Sequence, residues 1–248
     1  MDDKALRRMA SHVDDVHREA MRTIEDDLGE AHFGTADPAL VASRRSFLRR
    51  ASTAGAVIAI GGATIPVASM VPAAAQEAAT APTLNDSDTQ LVRFAQSVEL
   101  AAVAAYEAAV GTRLLDSAQV ELASLFGRHH QEHADALGKV LPTKEVVTAP
   151  NQKLLDAVAP QITAAQNANA VLQVAYNLEA GAAATYQFAM TSLINQTVAG
   201  AAGSIEPVEA QHSVVLGQLL NVNQSEYLPP FQSQTGAFSP QTYALPTS

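Results

Sequence analysis

The chain has 248 residues, of which 48% are hydrophobic but only 5% aromatic, with no Trp and no Cys. A core built of small aliphatics suits closely packed helices better than a β-sandwich, and the absence of Cys excludes thiolate metal sites, thiol catalysis and disulfide staples. The formal net charge is −10, and residues 76–248 carry six basic against fifteen acidic side chains, which excludes a nucleic-acid partner and suits cations.

Residues 1–42 form the first segment. Met9, Val13, Val16, Ala20, Ile24 and Leu28 recur at steps of three and four, with charged residues between them, which predicts an amphipathic helix. His12, His17 and His32 lie here without an assigned chemistry. The segment reads either as a long leader with no later role or as a cytoplasmic interaction helix acting before export.

Residues 43–75 form the second. Ser43-Arg44-Arg45-Ser46-Phe47-Leu48 is followed by a weakly apolar stretch from Ala51 to Val71, and Ala73-Ala74-Ala75 supplies a small-x-small cleavage pattern. The run resembles a twin-arginine export signal position by position. That resemblance implies the twin-arginine translocation machinery as partner, contact with the membrane only through this segment, and a mature chain beginning at Gln76. It also implies a periplasmic, extracellular or envelope-associated location. A stretch of about twenty residues also suits a retained anchor. Its Gly, Ala and Thr content favours the signal.

Residues 76–220 read as an all-α unit. Asp86, Ser87 and Asp88 offer caps for a first helix running to about Leu115. Asp116-Ser117 caps a second, Ala118 to Leu141, which Pro142 stops. Residues 151–159 suit a short helix in the linker. A third long helix is predicted from Ile162 to Val198. A turn at Gly200-Ala-Ala-Gly203 and a fourth helix capped by Ser204 follow, ending near Leu220. The tail, 221–248, holds Pro229, Pro230, Pro240 and Pro246 and no helical period, so it wraps the surface or stays partly disordered.

The helices repeat. Ser97-Val-Glu99-Leu-Ala-Ala-Val-Ala-Ala-Tyr106 parallels Asn177-Leu-Glu179-Ala-Gly-Ala-Ala-Ala-Thr-Tyr186. His130-Gln-Glu-His133 parallels Glu209-Ala-Gln-His212, and both are followed by Leu-Gly four and five residues after the second His. Two matched pairs in the same order point to a duplicated helical hairpin with a long crossover between the halves. Seven residues turn a helix through about 700°, so each Glu shares a stripe with its Tyr. Carboxylates on apolar stripes are costly unless paired, hydrogen-bonded or metal-bound. Residues three apart also share a face, so Glu209 with His212, and His130 with His133, can each aim two ligands at one point.

This pattern resembles the ferritin-like carboxylate metal proteins over residues 86–220. The resemblance implies a four-helix bundle of two duplicated hairpins. Glu99 and Glu179 take the places of the single carboxylates, and Glu209 with His212 matches one Glu-x-x-His pair. His133 matches the second pair's His, while His130 stands where that pair has Glu. Tyr106 and Tyr186 match the inward hydroxyls near the metal carboxylates. The implied cofactor is Fe or Mn, one or two ions, ahead of Zn. The implied role is ferroxidase, peroxide-handling or iron-binding, which leaves open whether the protein is an enzyme. A homodimer fits this reading, whereas the long tail and crossover do not suit a cage.

With His130 in place of Glu, three carboxylates leave two divalent ions one charge short of neutral. An asymmetric two-metal site, a single-metal site and a degenerate structural site all follow from that. The second reading is accordingly a non-catalytic envelope protein that binds through its surface or tail. His129, Glu107, Glu121, Glu132 and Asp135 are expected on the surface, and Glu132, 200° around the helix from His130, is not expected to replace the missing carboxylate.

Overall fold

Asn and Asp side chains decide where these helices begin. The computed structural model describes residues 2–29, 84–229 and 231–246, and among them only helices, turns and loops occur. Helix α1 spans Asp3–Gly29. Helix α2, Asp86–Gly111, starts at Asn85, whose side chain accepts from the Asp88 N–H. Helix α3, Ser117–Val140, starts at a full capping box between Asp116 and Gln119. Asn151 caps α4, Gln152–Thr163, and Asn167 caps α5, Ala168–Ser192. Asn195 caps α6, Gln196–Leu220, and Asn223 caps the short α7, Gln224–Tyr227. The signal-like residues 43–75 and the cleavage position lie outside the described residues. No described helix is long and apolar enough to cross a membrane.

The four-helix bundle is present, but its third helix is divided differently from the sequence expectation. The stretch predicted as one helix from Ile162 to Val198 breaks at Ala164–Asn167 and again at Leu193–Asn195. The second break carries the turn between α5 and α6. It is held by the buried Asp88 carboxylate, which accepts the N–H groups of Ile194 at 3.0 Å and Asn195 at 2.8 Å. Residues 200–203, predicted as that turn, lie inside α6. Gly203 is a close-approach position: a Cβ there would sit 3.0 Å from Met190 Sδ on α5. Gly203 serves helix contact and not chain reversal.

Helices α2 and α3 form one antiparallel hairpin and α5 and α6 the other, and α2 packs on α5 across the middle. Alanines dominate the seam, with Ala101, Ala102, Ala105, Ala182, Ala183 and Ala184 all buried. The crossover helix α4 covers α2 and α5. Its cap residue Asn151 donates its backbone N–H to Ser97 O at 2.8 Å, and its side chain donates to Tyr243 O at 2.9 Å. The tail therefore wraps the bundle, one of the two outcomes expected of it. Phe238 lies against Gly181, and its N–H bonds Thr185 Oγ1 at 2.8 Å.

The predicted N-terminal helix forms, and it belongs to the same compact unit as the bundle. It lies along α3 and α6. Its buried stripe is Leu6, Val13, His17 and Ile24, whereas Met9, Val16 and Ala20 are only half-buried.

Candidate metal centre

All six residues expected to carry chemistry converge at the middle of the bundle. Glu99 on α2, His130 and His133 on α3, Glu179 on α5, and Glu209 and His212 on α6 are each at most 1% exposed. A bundle of four helices brings one inward face of each to a common axis, and the i, i+3 spacing presents both members of each pair.

The two halves cross-link. Tyr106 donates its hydroxyl to Glu179 of the other half, and Tyr186 donates to Glu99. The Glu–Tyr stripe seen in sequence is thus shared between halves and not within one helix. His130 bridges the two single carboxylates, Nδ1 lying 2.7 Å from Glu99 Oε2 and Nε2 lying 3.1 Å from Glu179 Oε1. His133 Nδ1 lies 2.8 Å from Glu209 Oε1, and His212 Nδ1 lies 3.1 Å from Glu179 Oε2 and 3.4 Å from Glu209 Oε2.

The acidic and imidazole groups hold one another charged. Burial works against ionised Glu99, but His130 and His133 overcome it and bring the carboxyl down to about 2. Glu179 is likewise held well below the usual carboxylate range by His130 and His212, against burial. Burial also opposes protonation of the imidazoles. The surrounding carboxylates nevertheless raise His130 well above its ordinary value, His133 to about 9, and His212 to a lesser degree. Burial first, and then the facing carboxylates, push Tyr106 and Tyr186 well up, so both stay protonated donors.

The geometry fits a metal better than a closed hydrogen-bond network. Two overlapping ligand sets have donor atoms within 4.8 Å of one another: Glu99, His130, His133 and Glu209, and His130, Glu179, Glu209 and His212. His130 and Glu209 belong to both, the place where a bridging pair would stand. Both Glu209 oxygens and both His133 nitrogens lack a well-formed hydrogen bond despite the 2.8 Å approach between these residues. Buried polar atoms that converge on one region without satisfying each other are compatible with a bound cation.

Two residues overturn expectation. His129, expected on the surface, is fully buried. Its Nδ1 lies 3.0 Å from His212 Nε2, and its Nε2 lies 3.2 Å from Asp14 Oδ1 of α1. With Nε2–H donated to Asp14, His129 Nδ1 accepts from His212, which leaves His212 Nδ1 turned to the carboxylates. Metal-binding histidines are commonly held by such an outer partner. His17, assigned no chemistry, is also fully buried. It stacks on His129 with ring centroids 3.8 Å apart, and its Nε2 lies 2.7 Å from Glu132 Oε2. Burial above all, with the neighbouring imidazoles, lowers His17 to about 2 and His129 further, so both are neutral. Glu132 lies in neither ligand set and is engaged by His17 of α1. The signal for His129 was available: Leu122, Phe126, His129 and His133 follow at steps of four, three and four, an inward stripe.

The family model described as a ferritin-like domain matches residues 87–222. No curated protein and no solved structure matches the chain.

Proposed function

The chain belongs to the ferritin-like domain family, and from that premise we propose that it is an exported metal-binding protein holding one or two iron or manganese ions. Its role on this reading is ferroxidase, peroxide-handling or iron-binding chemistry outside the cytoplasmic membrane. One observation carries the reading: two wholly buried ligand sets overlap at His130 and Glu209, with donor atoms left unsatisfied by protein. Oxygen and imidazole donors without thiolate suit Fe(II) or Mn(II).

A bound ion would supply Lewis acidity and, if iron, redox chemistry toward O2 or peroxide. The protein's own residues do the rest. Glu99, His133 and Glu209 would hold one ion, and Glu179, His212 and Glu209 the other, with His130 between them. Tyr106 and Tyr186 orient the single carboxylates and keep a proton on each hydroxyl. Phe126, stacked on His212 with centroids 3.9 Å apart, keeps water off that ligand. The Ser43–Leu48 motif supports export through the twin-arginine pathway. A folded precursor can then take its metal in the cytoplasm, before Cu or Zn competes for the imidazoles.

A second reading is favoured by the mutual charge balance of the cluster: three imidazoles raised against three carboxylates form a network that is neutral without metal. On that reading the protein is a non-catalytic envelope component with a degenerate site. Metal analysis of cytoplasmically folded full chain, with Glu209→Ala/His212→Ala alongside, separates the two. The metal reading expects stoichiometric Fe or Mn that the double variant loses. Substoichiometric metal, no O2-dependent Fe(II) oxidation and a double variant as stable as the parent or more so would establish the second reading.

A further inference from the structure

Helix α1 touches the metal centre at its histidine wall. Asp14 accepts from His129, the residue that orients His212, and His17 covers the face of His129 and meets the edge of His133 at a centroid distance of 5.0 Å. His133 Nε2 and His17 Nδ1 are buried there without partners. Across α3 and α6 this helix is the layer between the ligands and solvent on that side.

Apart from those polar contacts the helix is held by few apolar side chains: among the described residues Leu6, Val13 and Ile24 are buried, and Met9, Ala10 and Met21 pack half-buried against the bundle. Its ion pairs to α3, Arg7 with Glu121 and Asp14 with Arg128, each include a half-exposed partner and contribute little. A groove of about 350 Å³ runs along the seam with α3, lined by Leu6, Ala10, Asp14, Leu122, Leu125 and Arg128. An incompletely packed seam forfeits dispersion contacts and opens ahead of the bundle. Residues 30–85 separate α1 from α2 in sequence, so its release need not disturb α2–α6.

We infer that α1 is a detachable wall of the metal centre: residues 3–29 close the α3/α6 face through Asp14 and His17, and their release governs exchange of the metal with solution. This deepens the metal-centre reading and rests on it. Loss of residues 1–75 on export, as proposed above, would remove the wall permanently, so the exported form would exchange metal through a face closed in the precursor.

The test uses full-length protein loaded with Co(II), whose ligand-field spectrum reports occupancy without turnover. Leu6→Glu/Val13→Glu releases α1, and hydrogen exchange over residues 3–29 verifies the release. Arg7→Cys/Glu121→Cys, bridged by a short bismaleimide in this otherwise cysteine-free chain, locks it. Extraction of Co(II) by a chelator is expected to be about tenfold faster or more in the released form, and slower than the parent in the locked form. Parent-like extraction from a verified released or cross-linked protein overturns the wall while leaving the metal site standing. Failure of the parent itself to bind Co(II) overturns both. Should the released variant not fold, the locked one decides alone.

Discussion

At the scale of single residues, the centre is defined by a near-symmetry with one exception. Glu99 pairs with Glu179, His133 with His212, and Tyr106 with Tyr186, but His130 faces Glu209 across the pseudo-dyad. His130 stands between Glu99 and Glu179, where a carboxylate would instead add negative charge. Restoring it by His130→Glu should raise the Mn(II) content measured by mass spectrometry toward two ions per chain. An unchanged count would mean that charge does not limit the second site. The raised pKa of His133, about 9, has a definite sign of effect. In metal-free protein its ion pairing stabilises the fold fully below the ordinary histidine pKa of about 6.5, and this is lost as pH rises through about 9. Metal must displace that proton, so affinity runs the other way and weakens as pH falls below about 9. Thermal melts of metal-free protein and Mn(II) titrations between the ordinary and the raised histidine pKa should therefore show opposite trends. Parallel trends would remove His133 from the ligand set.

Among elements, the turn between α5 and α6 illustrates how one distant side chain places a break. The predicted glycine-rich turn is energetically available, yet α6 begins earlier because Asp88 accepts two backbone N–H groups there and Asn195 accepts two more. This early start puts Glu209 and His212 in the middle of a long helix, beside Glu99, His130, His133 and Glu179. Asp88→Ala would remove the buried carboxylate that accepts two N–H groups of this part-buried turn and is expected to cost about 1–2 kcal/mol in chemical denaturation. Metal stoichiometry should survive, since Asp88 lies at the end of the bundle and not in the ligand set. A loss of less than about 0.5 kcal/mol would show that water satisfies the turn.

For the whole molecule, the duplicated hairpins make the site and the flanking segments enclose it. The crossover and tail close one side through Asn151, Tyr243 and Phe238, and α1 closes another. The tail and crossover follow the export-like motif in sequence, whereas α1 precedes it. Arg44→Lys/Arg45→Lys should hold the chain in the cytoplasm as full-length precursor, with α1 attached, as read by fractionation and mass. Normal export of that variant would refute the twin-arginine assignment.

Helical class and the six Glu and His residues that converge inside the bundle were legible in the order of residues. Helical period and the i, i+3 and i, i+7 spacings are local properties, and a carboxylate on an alanine stripe must find a proton, a cation or a donor in the core. The Asp116 cap was legible too, because an Asp before a helix acts on N–H groups only two or three residues away, whereas Asn85, Asn167 and Asn195 cap helices whose starts were expected elsewhere. The features that folding alone settled depend on partners far along the chain. Asp88 placed a turn more than a hundred residues downstream. The tyrosines crossed to the opposite half. His129 gained its outer partners from α1, which brings His17 and Asp14 from more than a hundred residues upstream. An amphipathic helix announces that it has a face to bury, but its sequence carries no record of which surface supplies the cover. That choice is made by complementarity between faces, and here it set His17 and His129 beside the buried Glu and His cluster.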